Sequence, residues 1–241
     1  MRRKLFFRMD PPKVLVLGFG AIILLGTVLL SLPASTVNGR GLPILDALFT
    51  ATSATCVTGL VVVDTGDAFT RFGEMVILSM IQVGGLGFMS FATLLAFILG
   101  KRISFKERLI IQESLNNATV EGIIRLVKRI FLFTAAVEIT GGIILSLRFS
   151  QEMAASKAIY FGFFHAVSNF NNAGFDLMGG FKGLTVYAED PIVNLTMITL
   201  ISLGGIGFIV MNELFDYRRT RRLSLHSKIV LAISEIGRAH V

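Results

Sequence analysis

Two short glycine-bearing loops hold the residues best suited to bind a ligand. They are Thr55, Cys56, Val57, Thr58 and Gly59 in the first loop, and Asn171, Asn172, Ala173 and Gly174 in the second. The first loop has no carboxylate, metal-ligand cluster or nucleophile–base pair, so its chemistry is that of backbone carbonyl oxygens. Carbonyls that converge on one axis can replace the water around a monovalent cation, and glycine adopts the required dihedral angles without strain. The second loop offers the same geometry with different side chains.

Each loop follows an apolar stretch that is too short to cross a bilayer, Leu42 to Ala54 and Ala158 to Phe170. Such lengths are typical of re-entrant helices, which are tolerated at membrane depth when protein or a water-filled path surrounds them. A helix that ends at the loop also directs the negative end of its dipole there, which favours cations.

The composition is that of a membrane protein. Hydrophobic residues make up 53% of the 241 residues and charged residues only 16%, which excludes an ordinary soluble domain and intrinsic disorder. The single cysteine, Cys56, excludes an internal disulfide framework and a cysteine-rich metal site, and we expect it to be a small buried residue.

Four apolar runs predict an all-α polytopic fold. They are Val14 to Leu32, Met75 to Leu99, Ile130 to Leu147 and Ile192 to Met211, each close to the roughly 20 residues that span a bilayer. Segments 1–13, 101–129 and 216–228 together hold 17 basic and 5 acidic residues, against 5 and 8 in the remaining loops. The positive-inside rule therefore predicts a cytoplasmic N-terminus, and the net charge of +7 reflects topology, not nucleic-acid binding.

The loops belong to an internal repeat. An offset of 115 residues places Gly59 on Gly174, and the run Gly84 to Phe88 recurs as Gly204 to Phe208. Each unit is predicted as a membrane helix, a re-entrant pore helix with its loop, and a returning helix; the two units are parallel. The predicted segments are a basic N-terminus (1–13), the first repeat (14–99), an amphipathic linker (100–129), the second repeat (130–215), a loop with the start of a third repeat (216–234) and a tail (235–241).

Six inner-helix glycines lie behind the loops: Gly84, Gly85, Gly87, Gly204, Gly205 and Gly207. They allow either a bend or the close approach of another helix. Glu138 lies in the middle of a span and should face protein or water, as a partner of a polar residue or as a site on the ion path. His165 is expected to be a packed helix residue.

Three aspartates follow the loops on the outer side, namely Asp64, Asp67 and Asp176. They could concentrate cations at the mouth of a pore or be ordinary solvated charges.

These motifs resemble the Trk/Ktr/HKT superfamily of potassium transporters, and within it the KtrB-type membrane subunits. The similarity is carried by Ala51 to Leu60, Val63 to Gly66, Gln82 to Met89 and Phe170 to Phe175. It implies four repeats around a potassium pore, one filter glycine per repeat, a homodimer in a bacterial plasma membrane, and a cytoplasmic nucleotide-binding KtrA-like regulatory subunit. No cofactor and no enzymatic activity are expected.

The chain carries two of the four expected repeats and the beginning of a third. Its last seven residues, Glu235 to Val241, are read as an artefactual tail, so that the chain would be a truncated N-terminal half. The alternatives to potassium uptake are a secondary carrier of sodium or another solute, and a non-conducting membrane fragment.

Basic residues on the cytoplasmic side could dock the regulatory subunit or contact lipid headgroups. They are Lys101, Arg102, Lys106, Arg108, Arg218, Arg219, Arg221 and Arg222.

Overall fold

A computed structural model describes residues 11–87 and 123–239. The chain is predominantly helical in these two ranges, where the only extended pairing is an isolated bridge between Thr36 and Phe69. The all-α prediction is confirmed at this level.

Nine α-helices are described within these ranges. They are α1 (Pro11–Leu30), α2 (Ile44–Thr55), α3 (Thr65–Ala68), α4 (Arg71–Gly85), α5 (Ile123–Phe149), α6 (Ala155–Phe170), α7 (Pro191–Gly205), α8 (Phe208–Thr220) and α9 (Leu225–Ala239). Short 3₁₀ turns at Pro33–Ser35 and Gly183–Tyr187 connect some of them.

Local sequence signals set several helix starts. Thr70 caps α4, because its side chain accepts a hydrogen bond from the backbone N–H of Gly73. Asp190 caps α7 in the same way through the N–H groups of Ile192 and Val193, and Pro191 occupies the first turn, where its missing N–H costs nothing.

The helices form two similar bundles. Helices α1, α2 and α4 pack around a core that includes Leu30, Ala51 and Ile77, whereas α5, α6 and α7 pack around Leu145 and Leu200. Helix α6 also contacts α4, so the two bundles meet where the glycine-bearing loops lie. Small side chains on α2 allow this short helix to be enclosed by its neighbours.

Within residues 11–87 and 123–239, two helical segments are long and apolar enough to cross a membrane, Lys13–Leu30 and Val127–Phe149. They match the first and third predicted spans. Large apolar side chains cover their outer surfaces; Val16 is 70% exposed and Leu132 is 71% exposed. In water such surfaces would be unfavourable, but they are suited to lipid.

The other two predicted spans have different outcomes. The segment Ile192 to Met211 is not one straight helix, because Pro191–Gly205 and Phe208–Tyr217 meet at an angle of 96°. The predicted span Met75 to Leu99 begins within α4, and its part beyond Gly87 lies outside the described residues.

Candidate functional site

The first loop leaves α2 through left-handed backbone. Helix α2 ends at Thr55, after which Val57 has φ of 51° and Gly59 has φ of 73°. The backbone N–H of Thr58 donates back to the Ser53 carbonyl at 3.0 Å, which ties the loop to the helix end. An L-residue such as Val57 is uncommon at positive φ, so this conformation is held by its surroundings.

The second loop repeats this geometry. Helix α6 ends at Phe170, Asn172 has φ of 58°, and Gly174 has φ of 73°. The N–H of Ala173 donates to the Ser168 carbonyl at 2.8 Å. The left-handed residues and the hydrogen bond thus recur at an offset of 115 residues, as the aligned sequences require.

The two loops lie against each other. A Cβ placed on Gly59 would lie 2.6 Å from the Ala173 carbonyl oxygen, and one on Gly174 would lie 3.6 Å from the Gly59 Cα. The first of these distances is too short for any side chain. The structure therefore brings the two candidate filter glycines together from sequence positions more than 100 residues apart.

Side chains of the two loops are arranged differently. Thr55, Asn171 and Ala173 are buried, while Cys56 is exposed, so the expectation of a buried cysteine was wrong. Thr58 donates its hydroxyl to the Ser53 hydroxyl at 2.9 Å. Neither loop, residues 55–59 or 171–174, contains an acidic side chain.

The inner-helix glycines allow close approach at matching places. A Cβ on Gly84 would collide with the Thr55 carbonyl, and one on Gly204 would collide with the Phe170 carbonyl. These carbonyls belong to the last residues of the two short helices, α2 and α6. A Cβ on Gly85 would likewise collide with the Asn171 side chain.

One of the six inner-helix glycines lies at a bend between two helices. Gly207 has φ of 88° and lies at the 96° break between α7 and α8. Gly87, which corresponds to Gly207 in the repeated run, has φ of 79°. Both interpretations of the glycines, bending and close packing, are therefore correct at different positions.

Glu138 has polar partners on neighbouring elements, as expected. Its carboxylate accepts hydrogen bonds from the Gln82 side-chain N–H₂ at 3.3 Å and from the Asn171 side-chain N–H₂ at 3.2 Å. Gln82 is a partner that the sequence did not predict. Its position just before the Gly84 motif was the available signal.

His165 is a packed helix residue, as expected. Its imidazole is fully buried, with Nδ1 2.7 Å from the Phe161 carbonyl and Nε2 accepting from the Leu177 N–H at 3.3 Å. Because a carbonyl only accepts, the proton lies on Nδ1. Among the described residues no group of three or more His, Cys, Asp or Glu side chains is placed to hold a metal ion.

The three aspartates that follow the glycine-bearing loops hold loop backbone in place. Asp67 accepts from the Gly180 N–H at 2.8 Å and Asp64 accepts from the Phe181 N–H at 2.5 Å, which joins loops of the two bundles. Asp176 accepts from the N–H of Met178 at 2.9 Å. These carboxylates are therefore more than solvated surface charges.

A polar cluster lies at the C-terminal end of α5. Arg148 pairs with Glu152 at 2.7 Å and with Asp190, and Tyr187 donates its hydroxyl to Glu152 at 2.9 Å. The Tyr187 hydroxyl and Arg148 lower the pKa of Glu152. The Val193 backbone N–H and Arg148 lower the pKa of Asp190 despite partial desolvation, and desolvation together with Glu152 raises the pKa of Tyr187 to about 12.

Part of the predicted docking surface is described. Arg221 and Arg222 are exposed beyond α8, which contains Arg218 and Arg219. The four residues Lys101, Arg102, Lys106 and Arg108 lie outside the described residues. These residues remain a predicted surface.

Curated relatives are similar over nearly the whole chain. It is 50% identical to the Ktr system potassium uptake protein B of Bacillus subtilis over 224 residues, which are 93% of the chain and 49% of that protein. It is 39% identical to the potassium/sodium uptake protein NtpJ of Enterococcus hirae over 98% of the chain and 52% of that protein. It is 38% identical to the Ktr system potassium uptake protein B of Vibrio alginolyticus over 91% of the chain and 48% of that protein.

The chain spans about half the length of these curated relatives. The sequence profile of the TrkH family, described as "Cation transport protein", matches residues 15–234. This match covers both bundles, both loops and the start of α9. The chain accordingly belongs to the TrkH family of cation transport proteins.

Proposed function

We propose that the chain forms part of the ion-conducting membrane subunit of a Ktr-type system and contributes to potassium uptake. The observation that carries this proposal is the pair of apposed loops, with Val57 matching Asn172 and Gly59 matching Gly174 in left-handed backbone. Such paired backbone can direct carbonyl oxygens at one axis, where they would replace the hydration shell of K⁺. The names of the relatives support potassium as the ion.

In this proposal the chain consists of two parallel repeats, each with a re-entrant pore helix, α2 or α6. A further feature supports the repeat. An apolar groove of about 380 Å³ lies between α1 and α4, and one of about 400 Å³ lies between α5 and α7. Gly26 faces Met80 in the first groove and Gly141 faces Leu200 in the second, at positions that the aligned repeats make equivalent.

The proposed topology places the N-terminus in the cytoplasm of a bacterium and the two loops toward the outside. The basic segments 1–13, 101–129 and 216–228 support this orientation. The whole transporter would be a homodimer in the lipid bilayer that binds a KtrA-like nucleotide-binding subunit on the cytoplasmic side. In that assembly, Arg221 and Arg222 are among the basic residues that we expect to contact this subunit.

The test is transport by the complete reading frame from the source DNA in a bacterium without potassium uptake systems. We expect growth at low external potassium and uptake of rubidium. Membrane-inserted protein that supports neither growth nor rubidium uptake would refute the proposal. Sodium uptake in place of rubidium uptake would favour the alternative of a sodium carrier, which the name of the Enterococcus relative keeps open.

Docking is tested separately with the variant in which Arg218, Arg219, Arg221 and Arg222 are replaced by glutamine. We expect weaker binding of the regulatory subunit in a pull-down from detergent, with unchanged membrane insertion measured by accessibility labelling. Wild-type binding by this variant would remove these arginines from the docking surface.

A further inference from the structure

Glu138 connects three helices directly behind the second loop. It is buried in α5, where 8% of its surface is exposed. One carboxylate oxygen accepts from Gln82 of α4 and the other accepts from Asn171, the C-cap residue that follows α6. A buried carboxyl group requires such donors, because its desolvation is otherwise costly.

Asn171 is held on several sides. Its side-chain nitrogen also lies 3.1 Å from the Gln82 side-chain oxygen and 2.9 Å from the Val167 carbonyl oxygen, so its two N–H groups are shared among three acceptors. The absence of a side chain on Gly85 makes room for its amide group. The next residue, Asn172, is the left-handed residue of the loop, so the orientation of Asn171 determines where the loop starts.

The first loop has no equivalent of this arrangement. At the offset of 115 residues, Asn171 corresponds to the exposed Cys56, and Glu138 corresponds to Ile23. An apolar residue and a thiol cannot form this network. The two loops therefore have similar backbones but different supports.

We propose that Glu138 is a positioning residue for the second loop and, through Asn171, sets how strongly the loop discriminates between K⁺ and Na⁺. This inference rests on the proposed function. The physical argument is that carbonyl ligands discriminate cations by their number and spacing. A loop whose first residue can reorient would hold those carbonyls less firmly.

The transport test compares the complete gene product with its Glu138→Gln, Glu138→Ala and Asn171→Ala variants and with the double alanine variant. The measurements are the KM for rubidium, its inhibition by sodium, and the amount of protein in the membrane. We expect Glu138→Ala to weaken the preference for rubidium over sodium by about tenfold, comparable with the loss of one charge-assisted hydrogen bond. Glu138→Gln should have a smaller effect, because an amide provides one acceptor oxygen instead of two.

If Glu138 acts through Asn171, the double variant should discriminate like Asn171→Ala alone. The matched control is Thr134→Val, an isosteric change at a buried position one turn earlier on α5. The Thr134 hydroxyl makes no hydrogen bond to any residue in the described ranges. Wild-type discrimination in Glu138→Ala, or effects of the two single variants that multiply in the double variant, would overturn the proposal.

A second measurement does not require transport. Asn172→Cys, introduced with Cys56→Ser, places a thiol at an exposed position of the second loop. We expect its rate of labelling by a small thiol reagent to change several-fold when Glu138→Ala is added, and to stay constant with Thr134→Val. An unchanged labelling rate refutes positioning by Glu138. A changed labelling rate, together with no rubidium uptake by the unsubstituted gene product, refutes the proposed function alone.

Discussion

The backbones of Gly59 and Gly174 face each other at the junction of the two bundles. A Cβ on Gly174 would contact the Gly59 Cα at 3.6 Å, and one on Gly59 would be 2.6 Å from the Ala173 carbonyl oxygen. Both glycines have φ of 73°. This relationship has consequences for substitution that differ from those of glycines elsewhere in the loops.

Replacing Gly59 with alanine should reduce rubidium uptake by the complete transporter by at least about tenfold. Left-handed backbone costs an L-residue roughly 1–2 kcal/mol, and the new Cβ would also displace the Ala173 carbonyl. Serine or aspartate at this position should have the same or a larger effect. The measurement is the initial rate of rubidium uptake, corrected for the amount of protein in the membrane.

Gly39→Ala is the control for backbone strain alone. Gly39 has φ of 67° but no atom within 4 Å of an added Cβ. We expect this variant to retain most of the uptake. Equal losses in the Gly39 and Gly59 variants would show that strain is sufficient and that the apposition of the loops is unimportant.

Gly204→Ala should destabilise the contact between α7 and the end of α6, because the added Cβ would collide with the Phe170 carbonyl. The adjacent Gly205→Ala is the matched control, since its Cβ would lie 3.8 Å from the nearest atom, on Asn172. We expect a lower thermal unfolding temperature in detergent for the first variant, by several degrees, and little change for the second. An extra carbon atom forced into a well-packed site typically costs about 1–3 kcal/mol. Identical unfolding temperatures for the two variants would contradict the assigned contact.

The sequence was sufficient to predict the helical class, the position of the loops and the matching glycines. These features follow from local composition and from periodic spacing, which are visible in one chain. The offset that pairs Gly59 with Gly174 also predicted equivalent conformations, and the matching φ values agree with it. The predicted pore-helix limits agree with α2 and α6 to within a few residues.

Other features depend on distant contacts that no local pattern contains. The partners of Glu138 come from α4 and from the end of α6, 56 and 33 residues away along the chain. The exposure of Cys56 depends on which side of the loop faces its neighbours. The 96° bend at Gly207 could be predicted as an option but not distinguished from close packing, because glycine permits both.

Asp64 and Asp67 join the two bundles by accepting hydrogen bonds from loop backbone. Replacing Asp64 and Asp67 together with alanine should release the N–H groups of Gly180 and Phe181. We expect faster limited proteolysis within residues 178–183 and a lower unfolding temperature, since each charge-assisted hydrogen bond contributes on the order of 1 kcal/mol at an exposed site.

Asparagine substitution separates this role from the attraction of cations. Asp64→Asn and Asp67→Asn keep an acceptor oxygen and remove the charge. If the aspartates concentrate cations, the asparagine variants should show a raised KM for rubidium at low ionic strength, where screening is weak. If the asparagine variants change neither the KM nor the rate of proteolysis, the role of the two aspartates is hydrogen bonding. Unchanged proteolysis in the alanine variants would refute that role.

The polar cluster at the C-terminal end of α5 should make stability depend on pH in a defined direction. Tyr187 and Arg148 lower the pKa of Glu152 below its ordinary value of 4.5, and the Val193 N–H and Arg148 lower that of Asp190 below 3.8. A carboxyl group whose pKa is lowered by folding stabilises the folded state above its unfolded pKa. That stabilisation is lost as the pH falls through the lowered value.

The measurement is the difference in unfolding temperature between the wild type and the double variant Glu152→Gln with Asp190→Asn, from pH 7 to pH 3 in detergent. We expect the wild type to be more stable at pH 7 and the difference to decrease as the pH falls below 4.5, because the wild-type carboxyl groups become protonated. Glu189→Gln, at the exposed neighbouring position, should behave like the wild type throughout. A difference that stays constant over this range would mean that packing of Tyr187 and Arg148, not the charge of the two carboxylates, stabilises this end of the second bundle.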